Sequence, residues 1–293
     1  MQVILQANAK INLLLDVTGR RADGYHEVAM LMQSVDLHDT VTLRLADAPG
    51  IAVFCDAPSV PADERNVAWK AANAFFAALG RPAPGLAIAI EKRIPSAAGL
   101  AGGSADAAAA LEGLRRLFAP QLPSRALESI ALSVGADVPF CLRGGHCLAT
   151  GVGEVLRSLP CLPAASYTLV LAKPACGVAT GEAYVRIDAL TELGHPNAAA
   201  ALRCAEAEDW DALFPLCGNL FEQALPLEMA QRLAKIRKTM WARGAKLAQM
   251  SGSGSTVFGI FDSEAQARSC ANALRAQVDL QVFVCHAAAA GIV

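Results

Sequence analysis

From residue 9 to residue 17 apolar and polar side chains alternate: Lys10, Asn12 and Asp16 share one side of the period, Ile11, Leu13, Leu15 and Val17 the other. A period of two predicts a strand. Residues 3–5, 40–45, 51–54 and 86–90 carry further strand-like runs. The period lengthens over residues 66–79, where Ala68, Ala72, Phe75 and Leu79 fall on one helical face. A second helix is expected over 106–118. Ser124 reads as the N-cap of a third, which carries Leu127, Ile130, Ala131 and Val134 and stops at Gly135. Residues 147–150 and 154–156, joined through Gly151-Val152-Gly153, read as a hairpin.

The proline-rich connector at 160–163 is the best boundary, so two domains are expected, 1–159 and 160–293. Beyond it come a strand at 167–172, a helix at 180–190 and an alanine-rich stretch at 197–217. Met229, Leu233, Ile236 and Met240 then share the face of a helix that Gly244 caps. Strands at 246–250 and 256–261, a helix at 263–277 and a strand at 280–285 complete the chain. Without the alanine-rich insertion this order is β-α-β-β-α-β, a ferredoxin-like split unit, and the fold class is α+β.

Between the strand at 86–90 and the next helix lies Pro95-Ser96-Ala97-Ala98-Gly99-Leu100-Ala101-Gly102-Gly103-Ser104-Ala105. Glycine has no Cβ, so several backbone N–H groups can turn toward one point. The helix start adds unpaired N–H groups and a positive dipole end. Such a cradle suits an anion, a nucleotide phosphate above all. The loop contains no lysine and matches neither G-x-x-x-x-G-K-[ST] nor G-x-G-x-x-G. A connection that binds nothing is the alternative, and three glycines with a serine at the helix start weigh against it.

Composition narrows the class. With 293 residues, 54% hydrophobic and 18% charged, the chain can bury a real core. A net charge of −2 offers no basic face for nucleic acid. Arg20-Arg21 is a short basic pair, and the basic cluster at 232–238 sits late in a helix, where cations complement the dipole. Nine cysteines without a C-x-x-C pair read as reduced, mostly buried thiols. Residues 1–17 lack a basic leader, and no run reaches the ~18–20 apolar residues of a membrane span. A soluble cytoplasmic protein is expected.

Lysine among apolar neighbours is unusual, although a half-solvated strand face would also accommodate Lys10. Tyr25 and His26 stand side by side in the loop 18–27. They could stack on a base and bond its edge, or form an ordinary surface turn. Asp137, in Gly135-Ala136-Asp137-Val138-Pro139-Phe140, is an acid between apolar residues: an N-cap, a turn residue or a paired functional group. A kinase acting on a hydroxyl gains from a carboxylate near the attacking oxygen and a cation near the phosphoryl group. Asp137 and Lys10 supply both if folding brings them together. The turn at 251–255 reads as a hairpin loop or as a second phosphate-facing backbone.

Four blocks together resemble the GHMP small-molecule kinase superfamily: Ala9-Lys10-Ile11-Asn12-Leu13 with Ala22-Asp23-Gly24-Tyr25-His26, the glycine loop, the block around Asp137, and residues 250–258. The resemblance is to its branch acting on a cytidine diphosphate methylerythritol. It implies a two-domain fold, an N-terminal ribosomal-protein-S5-like mixed sheet with helices and a C-terminal ferredoxin-like domain. It further implies ATP-dependent phosphorylation of that substrate's 2-hydroxyl in non-mevalonate isoprenoid synthesis, with Mg2+, in a monomer or homodimer. On this resemblance Lys10 and Asp137 are catalytic and Asn12 orients the substrate. The loop from Pro95 to Ala105 wraps the ATP phosphates, Ser104 touches magnesium, and Asn66 and Lys92 neighbour the adenine. Tyr25 and Tyr184 sandwich cytosine while His26 reads its edge. Thr180, Gly252 and Ser253 lie near the substrate's phosphates and sugar alcohol. The chain departs from common members at Ala101 and Ala105, where glycine and serine are frequent, at Ser255 in place of proline, and at Gly218-Asn219-Leu220, which no acid follows. A homoserine- or mevalonate-type kinase, or an inactive nucleotide-binding relative, is the rival expectation.

Overall fold

The computed structural model describes residues 2–293, and its N-terminal alternation belongs to one long strand, β1 (Gln2–Arg20). It pairs antiparallel along nearly all of β2 (His26–Leu45). The pairing slips between Asn8 and Ala9, Asn12 and Leu14, and Val17 and Gly19; such bulges bend and twist a ribbon. Two expected strands, 3–5 and 9–17, are therefore one, and the strand at 40–45 is the end of a longer one. Residues 31–35 of β2 are all buried, and a strand covered on both faces shows no alternation to read.

Next come β3 (Ile51–Cys55), α1 (Val67–Ala78), β4 (Leu86–Glu91), α2 (Gly102–Phe118), α3 (Ser124–Val134), α4 (Val138–Arg143), β5 (His146–Thr150) and β6 (Val155–Leu159). The six strands form a mixed sheet of order β3-β4-β2-β5-β6, with β1 on the other edge of β2 and β3 parallel to β4. Ala105 to Ala110 of α2 are buried, and small side chains let this helix lie close to the sheet. A Cβ on Gly113 would stand 2.7 Å from Leu43. One reading needs correction: Ser124 is the first helical residue, with Pro123 at the N-cap and no side-chain cap. Asp137 stands at the N-cap of α4, one of the places the sequence offered it, without a side-chain capping bond, and the six residues of α4 are too few to show a period.

The second sheet follows: β7 (Thr168–Pro174), α5 (Thr180–Asp188), α6 (Ala198–Glu206), α7 (Trp210–Leu213), α8 (Leu227–Ala242), β8 (Leu247–Met250), β9 (Val257–Phe261), α9 (Glu264–Arg275) and β10 (Leu280–Cys285). Its antiparallel order β10-β7-β9-β8 is that of the split unit expected from the sequence. Leu233, Ile236 and Met240 of α8 and Ala267, Cys270, Ala271 and Leu274 of α9 are buried against it. The alanine-rich stretch resolves into α6, capped by Asn197, and α7, capped by Asp209.

After β10 the chain returns to the first sheet. Ala287 bridges Val35, Ile292 bridges Ala7, and Asn8 Nδ2 donates to Ala290 O at 2.9 Å. A Cβ on Gly144 would lie 1.7 Å from Gly291 N, so this crossing admits only backbone. Among the described residues no helix is long and apolar enough to cross a membrane, and all nine cysteines are free.

Candidate active site

The glycine loop, β1, α5 and the turn after β8 enclose a cavity of about 870 Å³. The loop approaches it in left-handed backbone at Ala97 (φ 48°), Gly99 (φ 74°) and Ala101 (φ 57°). α2 starts at Gly102, four residues earlier than the helical period suggested, so Gly102, Gly103 and Ser104 are its first turn. Ala101 at the N-cap has no side chain to cap them, and the first N–H groups remain available to an anion. Pro95, Ser96, Ala97, Ala98, Gly99, Ala101, Gly102, Gly103 and Ser104 line the cavity. Leu100 and Ala105 do not; both are buried in the core, correcting the expectation that the whole loop faces the ligand.

The loop is pinned from behind. Lys10 N donates to Leu100 O (3.1 Å), Thr256 N to Ala98 O (3.2 Å) and Ser251 Oγ to Gly99 O (2.9 Å). The turn at 251–255 is thus a buried buttress rather than an exposed hairpin tip. Asn219, noted in the sequence only within a departure from common family members, holds it by donating to Met250 O and Gly252 O, both at 2.8 Å. A Cβ on Gly99 would lie 2.0 Å from Ser251 O. Gly99→Ala therefore combines a backbone clash with a left-handed penalty of about 1–2 kcal/mol. We expect the KM for ATP to rise at least about tenfold, measured by initial rates at saturating acceptor.

The Lys10 face of β1 is not half-solvated. Lys10, Asn12 and Asp16 are 4%, 0% and 5% exposed. Lys10 Nζ donates to Asn12 Oδ1 at 2.7 Å and stands 3.6 Å from Asp137 Oδ2, which is one-third exposed at the start of α4. Folding brings the lysine and the aspartate to one wall of the cavity. Asn12 does not reach the cavity: its Nδ2 donates to Met30 Sδ and its Oδ1 holds Lys10, so it touches the site through that ammonium. Asp16 lies outside the cavity, bonded to His195 Nδ1 at 2.7 Å.

Lys92 lines the cavity with its ammonium between two buried carboxylates, Asp39 and, at 2.7 Å, Asp106. Asp39 also accepts from the backbone of Arg93 (2.5 Å) and Ile94 (2.8 Å), which fixes the approach to the loop. Burial pulls the Lys92 ammonium down, and the two carboxylates more than offset it. Burial pushes the Asp106 carboxyl up to about 8, against the pull of Lys92 and with the push of Asp39. Asp106 Oδ1 has no hydrogen-bond partner among the described residues. Neither aspartate was foreseen. Asn66 does not itself line the cavity, although its neighbour Val67 does: its Oδ1 caps α1 at Ala68 N (2.8 Å) and its Nδ2 donates to Pro61 O (2.7 Å).

At the other end, Tyr25, His26, Thr180, Tyr184, Gly252 and Ser253 line the cavity. Thr180 Oγ1 and Ser253 Oγ are 3.0 Å apart. The ring on Tyr184 is His26, at 4.4 Å between centroids and 16° between planes, while Tyr25 is 65% exposed. A direct Tyr25–Tyr184 sandwich is therefore not preformed. Among the described residues no group of three His, Cys, Asp or Glu side chains could hold a metal ion.

Comparison with known proteins agrees with this geometry. The GHMP kinases N terminal domain matches residues 66–145 and the GHMP kinases C terminal model residues 198–280. The 4-diphosphocytidyl-2-C-methyl-D-erythritol kinase of Bacillus pumilus is 42% identical over 283 residues, covering 97% of this chain and 96% of that one. The enzyme of the same name from Desulfitobacterium hafniense is 43% identical over 286 residues, with 97% and 96% covered. A crystal structure of 4-(cytidine 5'-diphospho)-2C-methyl-D-erythritol kinase shares 33% identity at a TM-score of 0.77, covering 98% of this chain and 99% of that one. A homoserine kinase from Cytophaga hutchinsonii, at 21% identity and a TM-score of 0.78, covering 100% and 96%, shares the fold. A pocket built from a glycine loop and a lysine–aspartate pair, matched by relatives above 40% identity along nearly the whole chain, places this protein in the GHMP kinase family, in the branch of those curated kinases.

Proposed function

We propose that this ATP-dependent kinase phosphorylates the 2-hydroxyl of 4-diphosphocytidyl-2-C-methyl-D-erythritol. The observation that carries the reading is the Lys10–Asp137 pair, 3.6 Å apart on the same cavity as the glycine loop. In this reading the loop N–H groups and the start of α2 hold the triphosphate. Asp137 accepts or orients the proton of the attacking hydroxyl. As the new O–P bond forms and the bond to the leaving ADP oxygen breaks, the Lys10 ammonium offsets the charge on the transferring group. Asn12 keeps that ammonium aimed. Lys92 neighbours the nucleotide at the root of the loop. Thr180, Gly252 and Ser253 are near enough to one another to meet the acceptor's phosphates and alcohol.

Mg2+ fits as a partner of the nucleotide rather than of a protein cage. Ser104 presents a hydroxyl in the first turn of α2, and Mg2+ commonly keeps waters and phosphate oxygens as most of its ligands. When bound it would neutralise phosphate charge. The division into domains near residue 160 and a cytoplasmic monomer or homodimer belong to the same proposal, with residues 286–293 returning to the first unit.

The cytidyl end is supported by the aromatic pair and by His26. Imidazole and Tyr184 lie within 16° of parallel, so a base bonded in the plane of His26 lies parallel to Tyr184, and Tyr25 can close on its other face. The test is turnover of a panel of alcohols with ATP. The cytidyl substrate is expected to react and homoserine and mevalonate not; turnover of homoserine alone would overturn the assignment. Tyr25→Ala is expected to raise the KM for the cytidyl substrate by the equivalent of about 1–3 kcal/mol of lost stacking, with kcat little changed. An unchanged KM would remove Tyr25 from the site.

A further inference from the structure

Asp188, the last residue of α5, is a carboxylate at the end of a helix where the dipole disfavours negative charge. Two neighbours on the β1–β2 turn compensate it: Arg20 Nη1 stands 3.3 Å from Oδ2, and His26 Nε2 lies 2.8 Å from Oδ1. A carboxylate only accepts, so the hydrogen of the neutral imidazole sits on Nε2. Nδ1 is then a bare acceptor, and among the described residues it has no hydrogen-bond partner. The His26 side chain is 10% exposed on the cavity wall and held parallel to Tyr184, so the direction of its lone pair is fixed as well.

We propose that Asp188 is a positioning residue that sets the His26 tautomer, and through it a preference for a base carrying an exocyclic amine over one carrying a carbonyl there. This rests on the reading of this end as the cytidyl subsite. Cytosine presents an N4 amine, a donor, to the Nδ1 acceptor. Uracil presents an oxygen at the same place, and two acceptors would face each other. With the tautomer reversed, Nδ1–H would favour the oxygen. His26 alone does not determine the choice; the carboxylate behind it does.

The experiment measures kcat and KM with ATP for the cytidyl substrate and its uridyl counterpart, together with 15N–1H correlation spectra of the histidine rings. In the wild type we expect a preference for the cytidyl substrate and an Nε2–H signature for His26. Asp188→Ala is expected to lower the preference about tenfold or more, carried by KM with kcat within about twofold, and to give mixed tautomers. Asp188→Glu, which keeps a carboxylate in reach, is expected to recover both. An unchanged preference or an unchanged tautomer in Asp188→Ala would overturn the inference, as would failure of Asp188→Glu to recover either. If the wild type does not turn over the cytidyl substrate, the functional reading fails instead, and the spectra still report whether Asp188 sets the tautomer.

Discussion

Asp137→Ala is expected to abolish measurable phosphoryl transfer, a loss on the order of 10²–10⁴-fold in kcat, while ATP binding changes little. The separation follows from where each group sits. Asp137 makes no side-chain capping bond to α4, so its removal leaves that helix start unaffected. The loop that faces ATP is pinned by Leu100, Ala98 and Gly99 carbonyls, none of which involves Asp137. Lys10 loses its carboxylate partner yet keeps the 2.7 Å bond to Asn12. Asp137→Asn, which preserves volume and an acceptor oxygen, separates the loss of charge from the loss of packing. Single-turnover rates and calorimetric ATP binding on both variants decide the matter. Undiminished turnover in either would strip Asp137 of its role, and loss of ATP binding in both would make it a structural residue.

The largest effect on stability is expected from Lys92→Met. Among the described residues its ammonium is the sole cation paired with Asp39 and Asp106, whose side chains are 0% and 4% exposed. Removing one member of a buried ion cluster strands the others, at a cost of about 3–5 kcal/mol. For a chain of this size that lowers Tm by on the order of 10 °C. The pH dependence gives the mechanism its own signature. Asp106 is raised from 3.8 to about 8 by burial, so folding retains a proton that the unfolded chain gives up above about pH 4. The contribution of a carboxyl raised in this way is present at low pH and is lost as pH climbs toward the folded value. Without Lys92 the Asp106 carboxyl loses the cation that pulls it down and is pushed higher still. The Tm deficit of the variant relative to wild type is thus expected to be larger at pH 8 than at pH 5. A deficit that is the same at both, or no deficit, would show that the cluster is not held by charge.

What was legible in the sequence followed the physics of repetition. Helices α1, α8 and α9 have three or more turns and one apolar face, and their positions were readable to within a few residues. Strands buried on both faces were not: residues 28–32 are apolar without alternation. α4, with six residues, could not announce itself by period. The glycine loop and the Lys10 and Asp137 positions were legible because their residue types are costly where they occur, a lysine in a strand core and an acid among apolar neighbours. The meeting of Lys10 with Asp137, 127 positions apart, needed the fold. The helix-capping role of Asn66 was not legible, because a buried asparagine caps a helix or meets a ligand with the same two hydrogen-bonding groups. Asp39, Asp106 and Asp188 escaped notice, and Asn219 was noted without a role, because each works on another side chain or a backbone carbonyl rather than standing in a motif of its own.

The return of the last residues to the first strand has a bearing on biosynthesis. Gln6 and Val293 exchange backbone hydrogen bonds at 2.9 and 3.0 Å, and Asn8 N donates to Gly291 O at 2.8 Å. This edge of β1 is therefore open until residues 291–293 have been made, and an open edge invites pairing with another nascent chain. Closure spans almost the entire polypeptide, the costliest contact the topology contains. A ribosome-stalled chain that ends before residue 286 is left with that seam unsealed however well its first sheet has formed, so acquisition of protease resistance should lag behind emergence of the N-terminal half and coincide with emergence of residues 286–293.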